Sequence, residues 1–118
     1  MPRHPHGNLP GRVPLDPHYK IRNPEKGIFT MELLMLGTGR AMVTRCYNTC
    51  FYLEWPEGGL LVDCGGGNGI LRQMEDAGLG VESVHHLFLT HAHTDHLLGA
   101  VWLVRMAATA MRKGSYEG

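Results

Sequence analysis

Residues 90–96 have the sequence THAHTDH and place three imidazoles and one carboxylate within six positions. Side chains at i and i+2 of an extended segment point to the same side, so His91 and His93 can bind one metal ion. Asp95 and His96, at the following turn, face an adjacent position and can bind a second ion. Neutral imidazole and carboxylate are the ligands expected for Zn²⁺, with Mn or Fe as alternatives. Two such ions can share a bridging hydroxide, which would be the nucleophile of a hydrolysis.

A solvated polar loop is the alternative interpretation of this cluster. Histidine accounts for 8 of the 118 residues, so a chance match to HxHxDH is expected in only about one in a thousand such chains. Neighbouring imidazoles also repel one another once they are protonated in mild acid, and they gain nothing from proximity without a metal. The spacing therefore favours a metal site.

Cys46, Cys50 and Cys64 form a second group of possible ligands. Their spacing lacks the close CxxC pairs of typical zinc sites, so free buried thiols are the simpler interpretation and a zinc site is the alternative. The odd number of cysteines and the lack of an apolar segment behind the N-terminal basic residues favour a reducing, cytoplasmic location. His4 and His6 could chelate a metal by chance, but no neighbouring residues support such a site.

The composition is that of an ordinary globular domain. Eleven basic and eleven acidic residues give a net charge of zero, which removes any whole-chain attraction to nucleic acid or to an anionic membrane. A hydrophobic content of 43% with 19% charged residues excludes a charged disordered chain or a fibre. The longest apolar stretch, residues 97–104, is far shorter than the roughly 20 residues that a membrane span needs. We therefore expect no membrane partner.

Residues 1–27 contain six of the seven prolines and are predicted to form a flexible N-terminal arm. Residues 28–118 are predicted to form the folded domain. Short apolar segments bounded by glycine and proline predict its strands: residues 28–36, 50–54, 60–63 and part of 84–89. The first three form a predicted meander, with a hairpin loop at residues 55–59.

Two helices complete the predicted domain. The first starts at Asn68, a good N-cap, and ends at Gly78, where a C′ glycine is expected. The second covers residues 97–111, of which only Arg105 and Thr109 are polar, and such a helix needs cover on both sides. We therefore expect the chain to be incomplete or to assemble with a partner. The histidine-rich loop precedes this helix, where N-terminal amides favour anions such as phosphate.

The loop sequence THAHTDHLLG resembles the HxHxDH signature of the metallo-β-lactamase fold. Three further features match in order: LGTG at residues 36–39, Asn48 followed by Thr49, and LVDCG at residues 61–65. The first and last of these are most similar to the ribonuclease Z-like branch. The resemblance covers about residues 31–105 and implies an α/β fold, the N-terminal half of a metallo-β-lactamase-like αββα sandwich.

The resemblance implies a role for each residue of the cluster. His91 and His93 would bind one metal ion, Asp95 and His96 would bind the other, and Asp63 would be a supporting acid beneath the site. Asp95 would also be catalytic, transferring a proton at the bridging water. The complete site would hold two Zn²⁺ ions, with Mn or Fe possible.

The resemblance further implies a metal-dependent hydrolase, because the branch includes transfer-RNA 3′-processing endonucleases and related phosphodiesterases. RNA, such as a transfer-RNA precursor, or a small phosphodiester is the expected substrate. The remaining metal ligands of this fold come from its second half. The expected partner is therefore another copy in a homo-oligomer or a missing C-terminal half.

Several alternatives stay open. Residues 60–69, LLVDCGGGNG, also look like the strand and glycine-rich turn of a Rossmann-like domain that binds S-adenosylmethionine or a nucleotide. That interpretation needs an acidic residue roughly 20 positions further on, where this chain has Leu89, Thr90 and His91. A truncated half-domain without catalytic activity is another alternative. A β-lactam or a thioester could also be the substrate of the same metal centre.

Overall fold

The computed structural model describes residues 18–22 and 30–118. Within them, one mixed sheet has the strand order β1-β2-β3-β4-β5. The strands are β1 (His18–Arg22), β2 (Thr30–Gly37), β3 (Cys50–Trp55), β4 (Gly58–Val62) and β5 (His86–Phe88). The helices are α1 (Gly69–Asp76), α2 (Thr94–Leu97) and α3 (Gly99–Lys113), with a 3₁₀-helix at Val81–Ser83.

β2, β3 and β4 form the antiparallel meander that the sequence predicts. The hairpin between β3 and β4 is tighter than expected, because Trp55 already pairs with Gly58 and only Pro56 and Glu57 form the turn. β4 therefore begins at Gly58 rather than at residue 60. A proline in this turn is compatible with the ladder, since its missing N–H is not needed there.

β1 lies in the segment predicted to be a flexible arm and pairs antiparallel with β2 along five residues. Part of the predicted arm therefore extends the sheet. The rest of that arm lies outside the described residues, including His4 and His6. So do the first two residues of the strand predicted at residues 28–36.

β5 lies parallel to β4, and α1 forms the connection between them. Ile70 and Met74, one helical turn apart, are fully buried on the inner face of α1. Gly78, with φ 71°, follows the helix as the predicted C′ glycine. Asn68 is the N-cap residue, as predicted, but its side chain makes no capping hydrogen bond.

The helix predicted over residues 97–111 is found as α3, which begins at Gly99, whereas the short helix α2 lies mostly in residues 94–96, which were predicted to be loop. α3 packs into the core through Ala100, Leu103 and Ala110. Its opposite side is open, with Val101 and Val104 each 64% exposed. The described residues thus cover this helix on one side only, which agrees with the need for further cover seen in its sequence.

The antiparallel pairing of β1 through β4 differs from the parallel sheet of a Rossmann-like domain. The S-adenosylmethionine or nucleotide-binding alternative, which depended on that fold, is therefore wrong. Among the described residues, no helix is both long and apolar enough to cross a lipid bilayer.

We expect position 99 not to tolerate a side chain, although Gly99 begins a helix. A Cβ there would overlap the carbonyl of Cys64, and the Gly99 N–H donates to the Gly65 carbonyl at 2.9 Å. On helix propensity alone, Gly99→Ala would stabilise α3 by about 1 kcal/mol. We expect instead a loss of about 1–3 kcal/mol in the free energy of unfolding, because the backbone must move.

Urea unfolding measures this loss, with Gly67→Ala as the matched control. A Cβ at Gly67 meets nothing within 4 Å, so we expect its stability to change by under about 0.5 kcal/mol. A Gly99→Ala protein as stable as the Gly67→Ala protein would contradict the proposed close packing between α3 and the end of β4.

Candidate metal centre

The histidine-rich loop, residues 90–96, follows the carboxyl end of β5, and its last three residues form the first part of α2. Asp63 and Cys64, which follow the neighbouring strand β4, form backbone hydrogen bonds with residues near both ends of this loop. The Asp63 N–H donates to the Phe88 carbonyl at 2.9 Å, and the Cys64 N–H donates to the His96 carbonyl at 2.9 Å. The parallel pairing of β4 and β5 thus brings Asp63 beneath the loop.

Asp63 is 5% exposed, and its carboxylate accepts three hydrogen bonds. The Thr90 N–H and the Thr90 hydroxyl each donate at 2.8 Å, and Nδ1 of His96 donates at 2.7 Å. Asp63 has φ 59°, a left-handed conformation that aspartate adopts more readily than most residues. This backbone turn directs the carboxylate under the loop.

The pKa of Asp63 lies below its ordinary value. Burial would raise this pKa, but hydrogen bonds from Thr90 and His96 and the charge of His96 together outweigh the burial. Asp63 is therefore ionised at neutral pH and can only accept hydrogen bonds.

In the neutral form that binds a metal, the His96 ring keeps its proton on Nδ1, where the ionised Asp63 carboxylate accepts it, and Nε2 is left as an acceptor. That Nε2 lies 3.2 Å from Oδ2 of Asp95. Two acceptors at this separation are well placed to share a cation. A carboxylate on the far nitrogen is also the usual partner of a metal-binding histidine.

Thr90 orients the His91 ring in a similar way. The Thr90 hydroxyl donates its one proton to Asp63, so at its 2.8 Å contact with Nδ1 of His91 it must accept. Nδ1 of His91 then carries the ring proton, and Nε2 is left as an acceptor. His91 and His96 thus take the same tautomer, and both depend on Asp63.

The three imidazole rings of the loop lie close together. The His91 ring centroid is 4.5 Å from that of His93 and 4.1 Å from that of His96. His91 and His93 are exposed, whereas Asp95 and His96 are half-buried. The structure therefore brings all four predicted ligands into one loop with Asp63 beneath them, and their individual roles stay predictions.

The donor set fits a divalent metal ion, because two imidazole Nε2 acceptors and a carboxylate lie together in this loop. In the part of the chain that the structure describes, however, no group of three or more histidine, cysteine, aspartate or glutamate side chains is arranged to hold a metal ion. Completing such a site therefore requires the ligands to close together or further ligands to join them.

The cysteines do not form the alternative zinc site within the described residues, where all three are free thiols. Cys50 and Cys64 are buried and Cys46 is exposed. Burial raises the pKa of both Cys50 and Cys64 to about 12, so both side chains remain protonated thiols. They act as small apolar groups in the core.

Alkylation by iodoacetamide at pH 8 is expected to modify Cys46 and to spare the other two cysteines. The thiolate is the reactive form, and at Cys50 and Cys64 it is both scarce and inaccessible. Intact mass spectrometry counts the adducts, and the same reaction in denaturant, where all three thiols react, is the control. Two or more adducts on the native protein within the same time would contradict this burial.

Three residues that contact the site have no role in the sequence-based prediction: Thr90, Tyr47 and Asn48. Thr90 supplies two of the three hydrogen bonds to Asp63, and its only sequence signal is a hydroxyl directly before the first histidine. Tyr47 and Asn48 contact the segment after β4 from 17 to 20 residues away. Such long-range contacts have no local sequence pattern.

A family model described as Anti-Pycsar protein Apyc1 matches residues 31–114. An Anti-Pycsar protein Apyc1 from Bacillus phage 010DV004 is 37% identical over 71 residues, which are 59% of this chain and 27% of that protein. Ribonuclease Z from Thermobifida fusca is 37% identical over 81 residues, which are 67% of this chain and 24% of that protein. The chain thus spans about a quarter of the length of the curated relatives that it matches.

The structure is also similar to the metallo-β-lactamase fold protein YhfI from Bacillus subtilis. The TM-score is 0.63 over 74% of this chain and 35% of that chain, with 22% sequence identity. This likeness confirms the predicted fold, of which the chain forms part, and the ribonuclease Z relatives confirm the predicted branch. The family model covers the sequence from β2 through α3, including the whole histidine-rich loop, and on that match the chain belongs to the Anti-Pycsar protein Apyc1 family.

Proposed function

We propose that this chain supplies part of the active site of a metal-dependent hydrolase that cleaves phosphodiesters. The observation that carries the proposal is the 2.7 Å hydrogen bond from His96 Nδ1 to the buried Asp63, which leaves Nε2 facing Asp95. This bond orients the ring and fixes its tautomer before any ligand is bound. Such preparation is needed at a metal centre and has no evident use in a solvated loop.

In this proposal His91 and His93 hold one divalent ion, and Asp95 and His96 hold a second. Zn²⁺ suits this set of nitrogen and oxygen donors, with Mn or Fe as alternatives. A bound ion acts as a Lewis acid toward the phosphoryl group and makes water a stronger nucleophile.

The protein's own groups set the geometry of the reaction. Asp63 orients His96 directly, and it orients His91 through the Thr90 hydroxyl. Asp95 is the catalytic residue of the proposal: Oδ2 would hold the ion together with Nε2 of His96, and the other carboxylate oxygen would accept the proton of the attacking water. The half-buried position of Asp95 restricts the directions in which its carboxylate can point.

The ribonuclease Z relatives support a phosphodiester as substrate, because their name states an action on RNA. RNA, such as a transfer-RNA precursor, and a small phosphodiester are the two proposed substrates. A net charge of zero provides no overall attraction to a polyanion. Both substrates are therefore tested side by side.

The proposal is tested first by native mass spectrometry of the purified chain with added Zn²⁺, which reports subunit number and metals per chain together. We expect a defined assembly with one or two Zn²⁺ per chain and Zn²⁺-dependent hydrolysis of bis(p-nitrophenyl) phosphate or of a short RNA. Asp95→Asn is expected to lower that hydrolysis by at least about a hundredfold. A chain that binds no Zn²⁺ and cleaves neither substrate would contradict the proposal and favour a non-catalytic half-domain.

The family match favours a second proposal, which concerns the biological role of the protein rather than the reaction that it catalyses. The relatives from Bacillus phages are named for an action against Pycsar, so we propose a role in countering that system. Expression of the chain in a Pycsar-bearing host should restore phage growth, and the Asp95→Asn variant should not. Equal restoration by the two proteins would separate this role from hydrolysis.

The proposed partner is a second copy of the chain or a polypeptide that supplies the rest of the fold. Val101 and Val104 of α3 and Phe88 of β5 are all more than half exposed, and exposed apolar surface of this kind favours association. The subunit number from the same mass spectra tests this proposal. The cytoplasmic location remains a prediction from the cysteines.

A further inference from the structure

The glycine-rich segment at residues 65–69 takes no part in the proposed chemistry. The structure shows that this segment surrounds the side chain of Tyr47. The Tyr47 hydroxyl lies 2.7 Å from the carbonyl oxygen of Cys64 and 2.9 Å from that of Gly67. Because one hydroxyl proton is shared between two carbonyls, the curvature of the chain between them is fixed.

The ring of Tyr47 explains two of the glycines. A Cβ at Gly65 would overlap this ring, and a Cβ at Gly69 would lie 2.6 Å from its Cε2 atom. Gly65 also has φ 70°, a conformation that other residues rarely adopt. The glycines therefore allow the ring to lie against the backbone, which provides a physical reason for the motif without a bound nucleotide.

The other side of this segment lies against α2. A Cβ built on Gly66 would be in ordinary van der Waals contact, 3.7 Å, with Cα of Asp95. The Cys64 N–H donates to the His96 carbonyl at 2.9 Å. Residues 64–67 therefore lie between Tyr47 and the backbone that carries two of the proposed metal ligands.

Asn48, the residue after Tyr47, forms a second contact with the glycine-rich segment. Its Oδ1 accepts a hydrogen bond from the Gly66 N–H at 3.0 Å, and its Nδ2 donates to the Arg40 carbonyl at 3.0 Å.

Burial raises the pKa of Tyr47 to about 12, so the hydroxyl remains a donor at neutral and moderately alkaline pH. The hydrogen bonding of the Tyr47 hydroxyl to the Cys64 and Gly67 carbonyls therefore persists over this pH range.

We propose that Tyr47 is a positioning residue of the metal centre, whose hydroxyl holds residues 64–67 against α2 and thereby fixes the backbone of Asp95 and His96. This inference rests on the proposed function for the identity of the ligands. Tyr47 acts through the glycine-rich segment and takes no part in the chemical step.

Tyr47→Phe tests the proposal, with Tyr52→Phe as the matched control. Tyr52 also donates its hydroxyl to a backbone carbonyl, that of Ser83 at 2.7 Å, which lies outside both residues 64–67 and the histidine-rich loop. Each variant thus removes one oxygen and leaves the ring. Three measurements are compared: thermal stability, amide hydrogen exchange of peptides covering residues 63–69 and 93–98, and Zn²⁺ affinity by competition with a chelator.

We expect Tyr47→Phe to accelerate exchange in both peptides by roughly fivefold to tenfold, the factor that loss of one hydrogen bond allows. We expect Zn²⁺ binding to weaken by at least about tenfold, as for other changes to groups that support metal ligands. Tyr52→Phe should leave exchange and affinity within about twofold of wild type even if its stability falls equally.

Unchanged exchange of residues 93–98 in Tyr47→Phe, or an equal change in Tyr52→Phe, would overturn the proposal. If the wild-type chain binds no Zn²⁺, the proposed function fails, and the exchange data still decide whether Tyr47 holds α2. If Tyr47→Phe does not fold, Gly69→Ala is the second variant, because its methyl group displaces the Tyr47 ring and thereby moves the hydroxyl away from the carbonyls of Cys64 and Gly67. That variant must then accelerate exchange at residues 93–98, or the proposal fails.

Discussion

His93→Ala is expected to abolish tight Zn²⁺ binding and to lower phosphodiester hydrolysis by at least about a hundredfold, because an essential metal activates the nucleophile. His93 is exposed, and its backbone carbonyl, which the substitution keeps, accepts from the N–H groups of His96 and Leu97 at the start of α2. We therefore expect stability to change by under about 0.5 kcal/mol. Isothermal titration with Zn²⁺ measures the effect on binding directly.

The matched control for His93→Ala is His86→Ala. His86 is also exposed, but it lies in β5, where its ring stacks on Trp55 with centroids 6.2 Å apart. Its removal should leave Zn²⁺ affinity within about twofold of wild type, because the ring lies outside the histidine-rich loop. Unchanged Zn²⁺ affinity in His93→Ala, or equal losses in the two variants, would exclude the metal site proposed here.

Asp63→Asn is expected to weaken Zn²⁺ binding by about 10- to 100-fold and to lower the free energy of unfolding by about 1–3 kcal/mol. Asparagine has nearly the same shape and also tolerates φ 59°. Its amide nitrogen, however, cannot accept the protons that Thr90 and His96 donate to Oδ2. The His96 ring then loses the partner that fixes its tautomer.

Urea unfolding and chelator competition measure these two effects, with Asp76→Asn as the control. Asp76 pairs with Arg72 at 2.8 Å on the surface, where both side chains are more than half exposed. We expect that substitution to change stability by at most about 0.5 kcal/mol and Zn²⁺ affinity not at all. Retention of wild-type Zn²⁺ affinity by Asp63→Asn would show that the carboxylate supports only the fold.

Local sequence patterns predicted most of the elements that carry the site, but not α2, the short helix that contains Asp95 and His96. The apolar period of Ile70 and Met74 predicts α1 and its buried face, and the HxHxDH spacing identifies the loop that the structure places after β5. Each of these features depends on residues a few positions apart. Periodicity and ligand spacing therefore identify them without knowledge of the tertiary structure.

The contacts that organise the site could not be predicted in this way, because they join residues far apart in the chain. Asp63 reaches Thr90 and His96 across 27 and 33 residues, and the resemblance to a family was needed even to suggest its place beneath the loop. The break between α2 and α3 at Leu98 has the same origin. Gly99 begins a new helix where its backbone meets Cys64 and Gly65, and the apolar pattern continues through the break.

The ring of Tyr47 also restricts the order in which this sequence can evolve. While an aromatic ring lies at position 47, a methyl group at position 69 has no room. An alanine or serine can therefore become fixed at position 69 only after a smaller residue has replaced Tyr47. Related chains should accordingly show these two positions changing together, with glycine at 69 wherever an aromatic residue occupies 47.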